Sequence, residues 1–100
     1  MRATLLLSAV LLASTQTAYA GNIERGLSLS LSWCVSCHVV APDATGGDAG
    51  PTFASLASLP GQTEQALHNW LAEPHPAMSN LDLTAVEFDD LAAYIMSLNQ

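Results

Sequence analysis

Apolar positions recur at helical spacing in three stretches of this chain. Asn22 precedes Ile23, Leu27 and Leu31, apolar residues four apart, which predicts a helix capped by Asn22 that delivers Trp33 and the cysteines behind it at its end. Thr63 opens a second helix with Leu67, Trp70 and Leu71 on one face, and Pro74 forces its end near Glu73. A third begins with Thr84-Ala85-Val86-Glu87, a capping box, and carries Phe88, Leu91, Ala92, Ile95 and Leu98 along an apolar stripe. Gly26 lies inside the first helix at a cost of about 1 kcal/mol relative to Ala, which is tolerable where another helix must come close.

The segments between these helices are rich in turn residues. Residues 39–51 contain Ala41-Pro42-Asp43 and then Gly46-Gly47-Asp48-Ala49-Gly50-Pro51, and residues 74–80 contain two prolines, so both are expected as loops. No run of alternating β-branched residues occurs between Gly21 and Gln100, and there is no internal repeat or domain boundary. The pattern therefore gives helices and loops, with no strand signal, in one domain over residues 21–100. The glycines of residues 46–50 lack the Gly-x-Gly-x-x-Gly or lysine-containing pattern of a phosphate loop, which argues against nucleotide binding.

The first twenty residues form a separate pattern. Arg2 gives a positive start, Leu5 to Ala13 is a short apolar run, and Ala18-Tyr19-Ala20 is a small-x-small cleavage site. This reads as a secretory signal removed before Gly21, too short to span a bilayer, which needs roughly 20 apolar residues. The expected address is the bacterial periplasm. What remains is short for a core that must hold itself together, so an additional apolar group inside the fold would change its prospects.

Charge narrows the list of partners. After cleavage Arg25 is the sole Lys or Arg against nine acids, a formal balance of −8. Nucleic acid and anionic membranes should repel such a chain, and an electrostatically steered partner should carry a basic docking patch. Nothing in the sequence calls for more than a monomer.

The chemistry is concentrated in Cys34-Val35-Ser36-Cys37-His38. Cys-x-x-Cys-His is the attachment motif for covalently bound c-type haem. Two thiols one helical turn apart project to the same side and reach the two vinyl groups of one porphyrin, and the adjacent imidazole is then held beside the iron. Two other readings compete. Trp33-Cys34 with Cys37 is similar to the redox-active Trp-Cys-x-x-Cys of disulfide exchangers, but these need a βαβ framework that the pattern lacks. A zinc site would need a second ligand pair at finger-like spacing.

An iron held by His38 on one side takes a second ligand on the other if it is to pass electrons without binding small molecules. Met78, Met96, His68 and His75 are the candidates. Met78 is preferred because Pro74 and Pro76 stiffen its loop, with His75 or an open, water-bound site as the alternatives. Met96 is more simply a packing residue beside the apolar stripe. His68 is expected to be solvated, away from the Leu67 and Leu71 face.

These residues resemble the class I cytochromes c, in particular the small soluble monohaem cytochromes of proteobacteria. The resemblance is carried by Gly26, Cys34-Val35-Ser36-Cys37-His38, Gly50-Pro51-Thr52-Phe53, Trp70-Leu71, Pro74-His75-Pro76-Ala77-Met78 and Leu91-Ala92-Ala93-Tyr94-Ile95, in the family's order. It implies an all-α fold in which the first and last helices cross, with Gly26 letting Tyr94 pack close and one haem c between helices and loops. It further implies that the Pro51 carbonyl accepts a hydrogen bond from His38 and that Trp70 packs by the haem, within reach of a propionate. Many relatives follow the ligand methionine with proline, where this chain has Ser79, so a looser Met78 loop is expected. The function implied is one-electron transfer between redox partners with His38 and Met78 as iron ligands, and no substrate turnover. A haem sensor would instead need an open iron site, and a disulfide exchanger would carry no haem.

Overall fold

The computed structural model describes residues 3–6, 8–12, 21–75, 78 and 80–99. The expected cleavage site at Ala18-Tyr19-Ala20, and Pro76, Ala77 and Ser79 of the second loop, lie outside the described residues. Four helices follow in order: α1 (Ile23–Trp33), α2 (Phe53–Ala57), α3 (Glu64–Ala72) and α4 (Ala85–Ser97). Among the described residues the only β pairing is an isolated antiparallel bridge between Val39 and Gly46. No helix among them is long and apolar enough to cross a membrane.

The caps act as the sequence predicts. Asn22 accepts from the Arg25 N–H, Thr63 from the Ala66 N–H, and Thr84 and Glu87 complete a reciprocal capping box. Each such cap is worth about 1 kcal/mol because it satisfies a helix-end donor that would otherwise be orphaned. Helix α3 ends at Ala72, with Glu73 as its cap residue and Pro74 directly behind. Helix α2 was not apparent from the pattern; five residues are too few to show a period, and only Thr52, which accepts from the Ser55 N–H, marks its start.

Helix α4 is the axis on which the other three pack. Its stripe is buried as expected, with Phe88, Leu91, Ala92 and Ile95 joined by Ala93 and Tyr94, and Leu98 packed partly against the core. Met96 packs there too. Where α1 crosses α4, a Cβ at Gly26 would fall 2.1 Å from the Asp90 carbonyl oxygen and 2.6 Å from the Tyr94 Cβ. Backbone meets backbone at that point, so only glycine fits.

The crossing also decides which face of α1 is buried, and it is not the Ile23-Leu27-Leu31 stripe. Ile23 and Leu31 are half-exposed and Leu27 packs only partly, whereas Gly26, Ser30 and Cys34 are buried. The small side chains win because they permit close approach. Ser30 satisfies its hydroxyl within the helix by donating to the Gly26 carbonyl at 2.8 Å.

Two polar residues also differ from expectation. His68 is half-buried rather than solvated, its Nδ1 2.7 Å from Asp89 Oδ1 and its ring edge-on to Phe88. Asp90, one of the nine acids, is fully buried; it accepts the Asn22 N–H at 2.7 Å and lies 3.8 Å from the Arg25 guanidinium. The buried carboxylate thus ties the start of α1 to the middle of α4.

Candidate functional site

Helix α1 continues for one further turn through the motif. Cys34 donates to Ser30 O at 2.9 Å, Cys37 to Cys34 O at 3.1 Å and His38 to Cys34 O at 3.0 Å. This winding places the two cysteines one turn apart with His38 following. Both are free thiols, Cys34 buried and Cys37 exposed. Burial pushes the Cys34 thiol up to about 11, so it stays protonated at neutral pH. Thiol-disulfide exchange needs a thiolate, and Cys34 is the opposite of an activated one.

His38 is buried, and its Nδ1 lies 2.6 Å from the Pro51 carbonyl oxygen. A carbonyl can only accept, so Nδ1 carries the proton and Nε2 keeps its lone pair for a metal. The Phe53 ring flanks the imidazole, centroids 5.5 Å apart. Gly50 lies against it on another side: a Cβ there would be 2.4 Å from His38 Cε1 and 2.8 Å from Nδ1. A side chain at position 50 would displace the ring.

Main-chain bonds fasten the glycine loop over the motif. Gly47 donates to Val35 O at 2.9 Å, Gly50 to Cys37 O at 2.7 Å and Phe53 to Val39 O at 3.0 Å. Val40, fully buried, accepts the Tyr94 hydroxyl at 2.5 Å, which joins the loop to α4. The sequence marks residues 39–51 as a loop, but nothing in its pattern shows the roles of Gly50, Phe53 and the Tyr94 hydroxyl. A glycine directly before Pro51 was the one available signal for Gly50.

Met78, His75 and Trp70 form a second group. Met78 is half-buried, its N–H donates to His75 O at 3.1 Å, and it lines a cavity of about 100 Å³ with Leu71, Pro74, His75 and Leu81. Trp70, expected on the face shared by buried Leu67 and half-buried Leu71, is 45% exposed and stacks on His75 with ring centroids 3.6 Å apart. The structure therefore brings Pro51 to His38, and Trp70 and Met78 to His75.

The donor set fits a haem and little else. Among the described residues no three His, Cys, Asp or Glu side chains converge as a metal-ion site, and no sheet frames the cysteines as an exchanger requires. Two free thiols one turn apart, followed by an imidazole whose Nδ1 is already committed, match covalent attachment and leave Nε2 uncommitted.

An all-helical domain with crossing terminal helices and this motif defines a c-type cytochrome, and the chain belongs to the class I cytochromes c, among their small monohaem members. Cytochrome c-552 of Bradyrhizobium diazoefficiens is 41% identical to it over 86 residues, which cover 85% of this chain and 83% of the relative. No family model matches the chain, and no solved structure does. As a c-type cytochrome it holds haem c through Cys34 and Cys37 and transfers electrons with redox proteins; it is not an enzyme.

Proposed function

We propose that this cytochrome is a periplasmic one-electron carrier with His38 and Met78 as its axial ligands, made as a precursor whose residues 1–20 are removed on export. The observation that carries the reading is the 2.6 Å contact between His38 Nδ1 and the Pro51 carbonyl, which fixes the imidazole tautomer required of an iron ligand. When bound, haem supplies an iron that changes oxidation state by one electron. The chain's own residues do the rest. Cys34 and Cys37 tether the group as thioethers, and Pro51 orients His38 and raises its basicity. The Met78 thioether favours the reduced iron, which raises the potential relative to two imidazoles. Trp70 packs near the group, and no proton or substrate atom is transferred.

Several features support the remaining details. Met78 is presented from a proline-flanked loop beside a cavity, whereas Met96 is occupied in the core and His68 with Asp89. Leu5, Leu6, Val10, Leu11 and Leu12 are 80–92% exposed, so removing these described apolar side chains would cost the domain no core. The acidic surface favours a partner with a basic docking patch and a monomeric carrier.

The test is spectroscopy and mass analysis of protein matured in a haem-attaching host. The expected product starts at Gly21 and carries the added mass of one haem. The ferric form should show the weak red absorption band of thioether ligation, and the ferrous form should bind little carbon monoxide. Met78→Ala should lower the midpoint potential and admit carbon monoxide; if neither changes, the second ligand is another residue.

A further inference from the structure

Two side chains able to bind iron, His75 and Met78, lie three residues apart and line the same cavity. Imidazole nitrogen is a good ligand for iron in either oxidation state, while thioether sulfur is soft and binds the ferric form weakly. Proximity alone would therefore leave the second axial position open to competition. Something in the protein must bias it.

The three histidines are restrained in three different ways. His38 is held by the Pro51 carbonyl and His68 by the Asp89 carboxylate, each through a hydrogen bond. His75 is held by a ring: the Trp70 indole lies over it at a centroid distance of 3.6 Å, with the planes tilted by 31°. Trp70 sits near the end of α3, a helix capped by Thr63 and packed on α4, so the indole is carried by a fixed element and the imidazole by a loop. The stack ties His75 to α3.

We propose that Trp70 is a positioning residue that keeps His75 off the iron and so reserves the second axial position for Met78. The inference rests on the reading of Met78 as ligand. Leaving the stack would cost His75 the stability of an aromatic pair, which biases the choice by about two- to tenfold. Position 70 then sets the redox potential without touching the metal. A phenylalanine at this position would retain part of the bias; an aliphatic side chain would lose it.

The test compares the ferric holoprotein in wild type, Trp70→Phe, Trp70→Ala and Trp70→Ala/His75→Ala, by electron paramagnetic resonance, the red thioether band and the midpoint potential. In Trp70→Ala the share of bis-imidazole signal is expected to rise about two- to tenfold, with a weaker red band and a lower potential. Trp70→Phe should fall between this and wild type. Adding His75→Ala should restore thioether ligation, which a merely structural loss at Trp70 would not allow. If Trp70→Ala does not accumulate, Trp70→Leu keeps apolar bulk without a ring face and is read the same way. A Trp70→Ala spectrum identical to wild type overturns the proposal, as does a change that persists after His75→Ala. A bis-imidazole signal already dominant in wild type would instead refute Met78 as ligand, and this inference with it.

Discussion

Tyr94 shows how much one hydroxyl can join. Its O–H donates to the carbonyl of Val40, which has no access to water, and so binds α4 to the segment directly after His38. Replacing it by phenylalanine leaves that carbonyl buried without its donor, a loss of about 1–3 kcal/mol. The ionisation of Tyr94 gives the same bond a pH dependence. Burial first, and the Asp43 charge second, raise the Tyr94 pKa above its ordinary value of 10.0. The folded state thus holds this proton more tightly than the unfolded chain does. Its contribution is complete below pH 10 and is lost as pH rises through the higher folded value. Urea unfolding of the holoprotein should show Tyr94→Phe less stable at pH 7 by that amount, with a shallower loss of stability on the alkaline side. An unchanged alkaline slope would place the titration elsewhere.

At the scale of elements, the contact between α1 and α4 is set by shape. Gly26→Ala gains about 1 kcal/mol of helix propensity. The new methyl would have to enter space held by the Asp90 carbonyl and the Tyr94 Cβ, neither of which can rotate away. The helices must separate, and overpacking of this kind costs about 1–3 kcal/mol or more, so the net effect is destabilising. Leu31→Ala, on a half-exposed position of the same helix, should cost less than Gly26→Ala. Denaturant midpoints of the two holoprotein variants check the order, and the reverse order would mean that α1 buries its leucine face after all.

That comparison also shows what was legible in the sequence. The caps at Asn22, Thr63 and Thr84 could be read because a cap is a bond between neighbours in the chain. The buried face of α1 could not, since the Leu27 stripe and the Gly26-Ser30 stripe are both regular and only the partner helix chooses between them. His68 is a similar case: its carboxylate partner is 21 residues away. In the site, the haem motif declares itself because covalent attachment fixes the spacing of Cys34, Cys37 and His38. The stack of Trp70 on His75 has no such signature, as it depends on how a proline-flanked loop folds back on α3.

Over the whole molecule the nine acids divide by task. Asp90 is buried at the helix crossing, Glu87 closes the capping box and Asp89 faces His68, which leaves Glu24, Asp43, Asp48, Glu64, Glu73 and Asp82 exposed. Their field reaches about 30 Å at 0.01 M salt and only about 8 Å at 0.15 M. Small redox reagents of opposite charge can test whether it reaches the point where electrons cross. Oxidation of the ferrous protein by cationic cobalt(III) complexes should slow several-fold as salt rises over that range. Oxidation by anionic hexacyanoferrate should accelerate, because screening relieves its repulsion. Equal, flat responses would mean that the exposed carboxylates lie too far from the electron-transfer surface to steer anything, and that they serve solubility instead. Opposite slopes would tie the net charge to function and predict the same salt-sensitive approach for a protein partner with a basic patch.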